Sequence, residues 1–333
     1  MIELQTPRGI SVRVPENDTE DLSAKFAIGD SSGIKNYYDQ NGYVIVKNVF
    51  SPEECEHIQT LWEREVKPFK GFMYRQTTAR AERHIKNDKG WIMNPILNLQ
   101  SLDPTHFSDF RRYATNNILC NERLSAALSM LLNDTPKIVQ SMYFEGNSAT
   151  WEHQDSYYLD SETVGEMAAA WIALEDIAAK AGRFFVCPKS HKIKLDDHNL
   201  YNNIAENHEN YIQSVVSKIK NDKLEVRAPV MNQGDVLFWN AWTIHGSLDS
   251  QDSHHSRSSI TCHAIPSKKR FLQLQTRILD VCTEKVNKAY LYKPKDLDLL
   301  KNRIIFYIES HFPGPFYWLK NKAIVYIVKH KSS

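Results

Sequence analysis

"GDVLFWNAWTIHGS", Gly234–Ser247, is the stretch on which the fold turns. Gly234 and Asp235 are turn residues, "VLFW" is an apolar run of strand length, and His245 follows at its end with Gly246 behind it. Working outward, the same grammar recurs in "KIVQSMYFE" (Lys137–Glu145) and "RSSITCHAIP" (Arg257–Pro266). Short apolar segments between turn residues, spread over 136–280, predict a β core, most simply a jelly-roll. A histidine at the strand end lies at the mouth of that core.

Before the core, the pattern is helical. "IKNYYDQNG" reads as a short helix stopped by Gly42 and "YVIVKNV" as a strand; Ser51, Pro52 and Glu54 mark a helix start that runs from Glu53 to Val66. The segment 107–132 is helical in pattern, and 1–33 reads as a polar lead-in. A polar, partly helical insertion is expected at 192–223, and a C-terminal extension at 281–333 holds a helix near 295–310 and a Pro313-Gly314-Pro315 break. The expectation is one domain over 1–333, mainly β with flanking helices: 34–135 helical with the first strand, 136–280 the core, 281–333 the extension.

The 333 residues are 42% hydrophobic and 24% charged, with a formal net charge of +1. A core of this size needs neither disulfides nor a structural metal. The near-neutral charge argues against nucleic acid as a partner. Cys55, Cys120, Cys187, Cys262 and Cys282 are scattered, odd in number and form no CxxC, which suits a reducing cytoplasm. No signal peptide and no membrane span are expected. The basic, aromatic stretch Pro315–Lys331 reads as a segment packed on the core or on a second subunit, with interfacial membrane contact as its rival.

The chemistry concentrates in "WEHQDSYYLD", Trp151–Asp160. In extended chain, residues two apart share a face, so His153 and Asp155 can aim a nitrogen and an oxygen at one point with Gln154 turned away. One more distant ligand completes a two-histidine, one-carboxylate set on one face of a metal, a pattern typical of non-haem Fe(II) oxygenases. His245 is the candidate by context. His191, His254, His255 and His263 are its rivals, with His254 and His255 in a polar turn. His57, His84, His106, His198, His208, His311 and His330 are read as surface or satisfied core histidines. An arginine would suit the far carboxylate of a dicarboxylic cosubstrate, and Arg257 opens a strand that returns beside His245. Arg183 and Lys137 are the next candidates.

"HQDSYY", "AAWIALEDI", "AGRFFVCPKSHK", "GDVLFWNAWTIHGS" and "SRSSITCHAIP", with the opening "YYDQNGYVIVKNVFSPEEC", together resemble the phytanoyl-CoA dioxygenase family of Fe(II)/2-oxoglutarate oxygenases across most of 34–266. The resemblance implies a double-stranded β-helix. It implies iron on His153, Asp155 and His245, and 2-oxoglutarate on Arg257 with Ser247, Trp171 and Gln140 as further contacts. O2 is the co-reactant, and ascorbate would support activity. "EMAAAWIALEDI" would be helix by propensity; the resemblance makes it a strand, with Trp171 facing the site. Lys189 stands where glycine is usual, and "GRFFVCP", with Phe184, is bulkier than the family pattern and would shape the substrate pocket.

The reaction implied is oxidative decarboxylation of 2-oxoglutarate coupled to hydroxylation of an aliphatic C–H of a small molecule, with Asp155 arguing against halogenation. A natural product is the first expectation and an acyl-CoA or lipid the second. From other classes, a zinc hydrolase or lyase would leave Arg257, Ser247 and Trp171 without a role, and a non-catalytic jelly-roll binding module would carry a vestigial metal site. The basic run between Arg64 and Lys89, including Arg80 and Arg83, suggests a lid selecting an anionic substrate.

Overall fold

The computed structural model describes residues 1–146, 148–193, 195 and 204–331, with side chains described outside 204–206 and 323–331. His198 and much of the start of the 192–223 insertion therefore lie outside the described residues, as does the His330 side chain.

Two β layers form the core. The main sheet runs, neighbour to neighbour, Thr283–Val286, Ala289–Tyr292, Pro136–Phe144, Ser259–Pro266, Ala168–Ala173, Val236–Asn240, Tyr43–Lys47 and Lys25–Ala27, with Ile96–Leu97 also paired to Pro136–Phe144. Its central pairings are antiparallel; Lys25–Ala27 adds in parallel at one edge, and at the other the antiparallel hairpin of Thr283–Val286 and Ala289–Tyr292 joins Pro136–Phe144 through a parallel pairing. The smaller sheet is Phe184–Val186, His245–Ser247 and Thr150–His153, extended by a bridge from Val186 to Arg227. This is the expected jelly-roll, mostly β with helices against one face.

Ala168–Ala173 is a strand paired on both sides, so tertiary pairing overrides helix propensity. Its alternation divides the molecule. Ala168, Ala170 and Ile172 face the helices in one core with Ile34, Ile58 and Leu128. Ala169, Trp171 and Ala173 face inward with Leu237, Trp239, Phe184 and Val186. Alanine suits the outer positions because the absent side chain lets the helices approach the sheet.

The expected punctuation is present. Ser31–Asn41 is capped by Asp30 and ends at Gly42, whose φ of 78° and close approach to His191 and Thr243 exclude a side chain there. Pro52–Leu61 starts with a reciprocal capping box between Ser51 and Glu54, then widens into a π-helical turn at Trp62–Val66. The 107–132 segment likewise divides into Ser108–Tyr113, a wide turn Ala114–Leu119 and Glu122–Leu132.

Three expectations needed correction. Residues 1–33 are not a loose lead-in: Ile2–Gln5 pairs with Ser11–Val14, and Lys25–Ala27 joins the main sheet. The main sheet continues past 280 through Thr283–Val286 and Ala289–Tyr292. After the helix Leu300–His311, Phe312 alone separates it from a second helix, Pro313–Lys331, because proline at the first helical position starts a helix as readily as it stops one.

Candidate metal centre

His245 lies directly opposite His153 on paired strands, so cross-strand register sets the two rings side by side, their centroids 4.3 Å apart. The Thr150–His153 strand ends there. Gln154 stays extended and turns away, its amide on the Trp242 carbonyl at 2.6 Å, and Asp155 opens a single helical turn that swings its carboxylate back. Asp155 Oδ1 is 3.6 Å from His153 Nε2 and 3.5 Å from His245 Nε2. Among the described residues these three form the one such group, their ligand atoms within 4.8 Å of one another. Asp155 and His245 are buried, and the His153 side chain is 12% exposed.

The second atoms of these residues are also committed. Nδ1 of His153 faces the Trp151 carbonyl at 2.8 Å and Nδ1 of His245 the Thr243 carbonyl at 2.9 Å. A carbonyl only accepts, so each Nδ1 carries the hydrogen and each Nε2 lone pair points to the shared space. Oδ2 of Asp155 accepts from the Trp239 indole at 2.7 Å and meets His263 Nε2 at 3.2 Å. Burial alone would raise the Asp155 pKa, but its surroundings, chiefly the His245 and His263 imidazoles, hold it well below the usual carboxylate range. Two imidazoles and one carboxylate oxygen, fixed in orientation from behind, fit a divalent transition metal with open positions.

Arg257 stands two residues before the Ser259–Pro266 strand, its N–H on the Glu145 carbonyl at 2.7 Å. The guanidinium is buried, 2% exposed, with Nη1 on the Gly182 carbonyl at 3.1 Å and no partner for Nε among the described residues. It makes no ion pair with a carboxylate of the described residues, and burial pushes its pKa down to about 9. A buried guanidinium without a counter-ion is costly unless an anion joins it. Phe144 and Trp171 pack on it, 5.2 and 6.0 Å from their ring centroids. Phe184 stacks near Trp171 on one side and on His245 on the other, at 6.0 and 5.3 Å, so two rings connect the arginine to the histidine.

Ser247 is two residues along the strand from His245, its hydroxyl accepting the Thr150 N–H at 3.0 Å. Gln140 pairs with His263 across the main sheet. The structure thus brings His153, Asp155 and His245 together, with Arg257, Trp171, Phe184 and Ser247 along the same interior. His263 is not a third nitrogen ligand but a prop for Asp155. His191 is elsewhere, with Nε2 on the Asp39 carbonyl, and the exposed His254 and His255 surround the half-buried Asp252. Arg183 is committed to the Ile177 and Pro15 carbonyls, and Lys137 to Lys269.

Arg80 and Arg83 are not brought to this group. The Arg64–Lys89 run contains a two-stranded ribbon, Met73–Tyr74 with Ala81–Glu82, rather than irregular chain. Arg80 lies over Tyr317, and Arg83 over Phe72 at a cavity of about 380 Å³ that none of the three metal-type ligands lines. Arg75 is fully buried and holds the Glu82 and Asn94 carbonyls. Lys67 is paired with Glu63 and buried Glu145. These cations hold the segment together.

Two contributors escaped the sequence reading. Trp239 was legible only as part of an apolar run; its position six residues before His245 on the inward face was the available signal. Tyr211, on the insertion helix Ile204–Asn221, accepts the Gln154 N–H at 2.8 Å, donates to the Gln154 carbonyl at 3.2 Å and stacks on Tyr157. The insertion therefore clamps the peptide between the two ligands, and no local pattern announces that.

A family model for phytanoyl-CoA dioxygenase (PhyH) matches residues 38–258. Bovine peroxisomal phytanoyl-CoA dioxygenase is 24% identical over 291 residues, covering 81% of each chain. The fold is similar to the non-heme alpha ketoglutarate dependent carbocyclase SnoK from nogalamycin biosynthesis (TM-score 0.53, 15% identity, 75% of this chain and 89% of that one). It is also similar to the epimerase SnoN in complex with Fe3+, alpha ketoglutarate and nogalamycin RO (TM-score 0.51, 14% identity, 80% and 99%). With two thirds of its length inside the family match and the metal-type ligands converging within it, this chain belongs to the phytanoyl-CoA dioxygenase (PhyH) family, whose members are iron- and 2-oxoglutarate-dependent dioxygenases.

Proposed function

We propose that this dioxygenase hydroxylates an aliphatic C–H of a small molecule, with a natural product as the substrate class. The observation that carries the reading is the convergence of two Nε2 atoms and Asp155 Oδ1 on an interior that also holds a buried arginine with no carboxylate partner among the described residues. His153, Asp155 and His245 would hold Fe(II). Arg257 would take the distal carboxylate of 2-oxoglutarate as a bidentate anchor, with Ser247, Trp171 and Gln140 completing that pocket. Bound iron with 2-oxoglutarate and O2 supplies oxidative decarboxylation coupled to C–H oxidation. The chain's own residues fix the ligand orientations, anchor the cosubstrate and keep the interior apolar. Phe184, between His245 and Trp171, is proposed to limit the substrate's reach toward the metal.

The named bovine relative acts on an acyl-CoA, which supports an acyl-CoA or lipid substrate as the second reading. An anionic substrate is part of the proposal: Arg80 and Arg83 are exposed and would attract a charged molecule from a distance, although neither is brought to the metal-type ligands. The scattered free cysteines support work in the cytoplasm.

The test is 2-oxoglutarate turnover. The protein with Fe(II), ascorbate and 2-oxoglutarate should release succinate, stimulated by a screened panel of natural products and acyl-CoAs. His153→Ala and His245→Ala should each lose turnover by more than about a thousandfold with the fold retained. Near-normal turnover in either variant sinks the assignment.

A further inference from the structure

The C-terminal helices present an apolar surface that the dioxygenase reading leaves unused. On Leu300–His311 the residues Leu300, Ile304 and Ile308 recur every fourth position and so share one outward stripe. Phe312 continues it, and Trp318 and Leu319 follow on the next helix. These six side chains are between 42% and 72% exposed. Single exposed apolar residues need no explanation, but a run of large ones marks an interaction face.

Charge decides what covers it. Between Leu300 and Lys322 stand Lys301, Arg303, Lys320 and Lys322 against a single carboxylate, Glu309. Glu309 is turned inward, 3% exposed, accepting from Tyr74 at 3.0 Å and Tyr317 at 2.6 Å. Lys301, Lys320 and Lys322 are exposed. The Lys320 and Lys322 ammonium groups lie over the Tyr317 and Trp318 rings, at 5.4 and 4.0 Å from the centroids, so positive charge and aromatic surface occupy the same face. The nearby Asp296 and Asp298 are neutralised by Arg111.

We propose that this face docks on an anionic lipid bilayer, the helices lying in the interface with Ile304, Ile308, Phe312 and Trp318 inserted and the lysines at headgroup level. A two-fold contact between copies would set lysine against lysine with no outward carboxylate to answer. No helix among the described residues is long and apolar enough to cross a membrane, so the association is peripheral.

Co-sedimentation of the full chain with phosphatidylcholine vesicles, with and without about 30% phosphatidylserine, tests it. Binding is expected to the anionic vesicles only and to weaken as salt rises. Ile304→Asp with Ile308→Asp should weaken it at least about tenfold, and Lys320→Glu with Lys322→Glu at least about fivefold, with 2-oxoglutarate turnover unchanged in both as the control for folding. Three outcomes overturn the proposal. One is no binding to either vesicle. Another is equal binding to both that the lysine variant does not change. The third is a dimer by sedimentation velocity that the isoleucine variant dissociates.

Discussion

Trp239 donates its indole N–H to Oδ2 of Asp155 at 2.7 Å, leaving Oδ1 as the oxygen that faces His153 and His245. An unsupported carboxylate could rotate and share its oxygens; this one is pinned from behind by Trp239 and His263. The indole therefore sets which oxygen is offered to a metal.

Trp239→Phe keeps the inward ring and removes the hydrogen bond. Fe(II) affinity, measured by competition with a chelator, should fall about 10–100-fold, the usual effect of losing an outer-shell partner. An unchanged affinity would show that His263 alone orients Asp155.

Arg257→Lys keeps a cation but loses the fork, and Arg257→Ala loses both. The 2-oxoglutarate KM should rise about tenfold and about a hundredfold respectively, with Fe(II) affinity unaltered. Because a bound anion relieves the buried charge, 2-oxoglutarate should also raise the melting temperature of the wild type, a shift that Arg257→Ala abolishes. Equal 2-oxoglutarate dependence in all three proteins would move the anchor elsewhere.

His84 gives the protein an acid sensitivity away from the metal centre. Its Nε2 faces the Val66 carbonyl and its Nδ1 the Arg75 guanidinium, both at 2.9 Å, so the ring is held neutral with its hydrogen on Nε2. Burial, assisted by Arg75, pushes its pKa from 6.5 to about 4. A depressed folded-state pKa means that the unfolded chain takes up the proton first. The contribution of His84 to stability is thus present above pH 6.5 and is lost as pH falls towards 4. In urea melts, the wild type should lose more stability than His84→Gln between pH 7 and 4. Parallel pH profiles would remove His84 as the source.

Lys189 adopts a left-handed conformation, φ 67°, with its N–H on the Asn41 carbonyl at 2.7 Å. A side chain in that region costs about 1–2 kcal/mol relative to right-handed backbone, a penalty glycine escapes. Lys189→Gly should stabilise by up to about 1 kcal/mol in denaturant titration with turnover unchanged, and Lys189→Val should destabilise. A destabilised glycine variant would mean that the exposed lysine side chain contributes something no contact here records.

Much of the site was legible in the chain because its signals are local. The spacing of His153 and Asp155, the turn before His245, the Ser51 cap and the Gly42 stop each depend on geometry within a few residues, and alternation in "AAAWIA" is compatible with a strand. The resemblance to the family supplied what propensity opposed there. The remainder depended on contacts between residues far apart in sequence. Helical periodicity found part of the 192–223 insertion, but Tyr211 reaches Gln154 only through packing, and His263 looked like a rival ligand until strand pairing placed it behind Asp155. Arg75 and Lys67 read as a solvated basic run because a sequence shows charge without its partners; folding buries one and pairs the other. The ligand residue types were written locally, whereas the oxygen, the tautomers and the burial of Arg257 were decided by side chains that meet only when both sheets close.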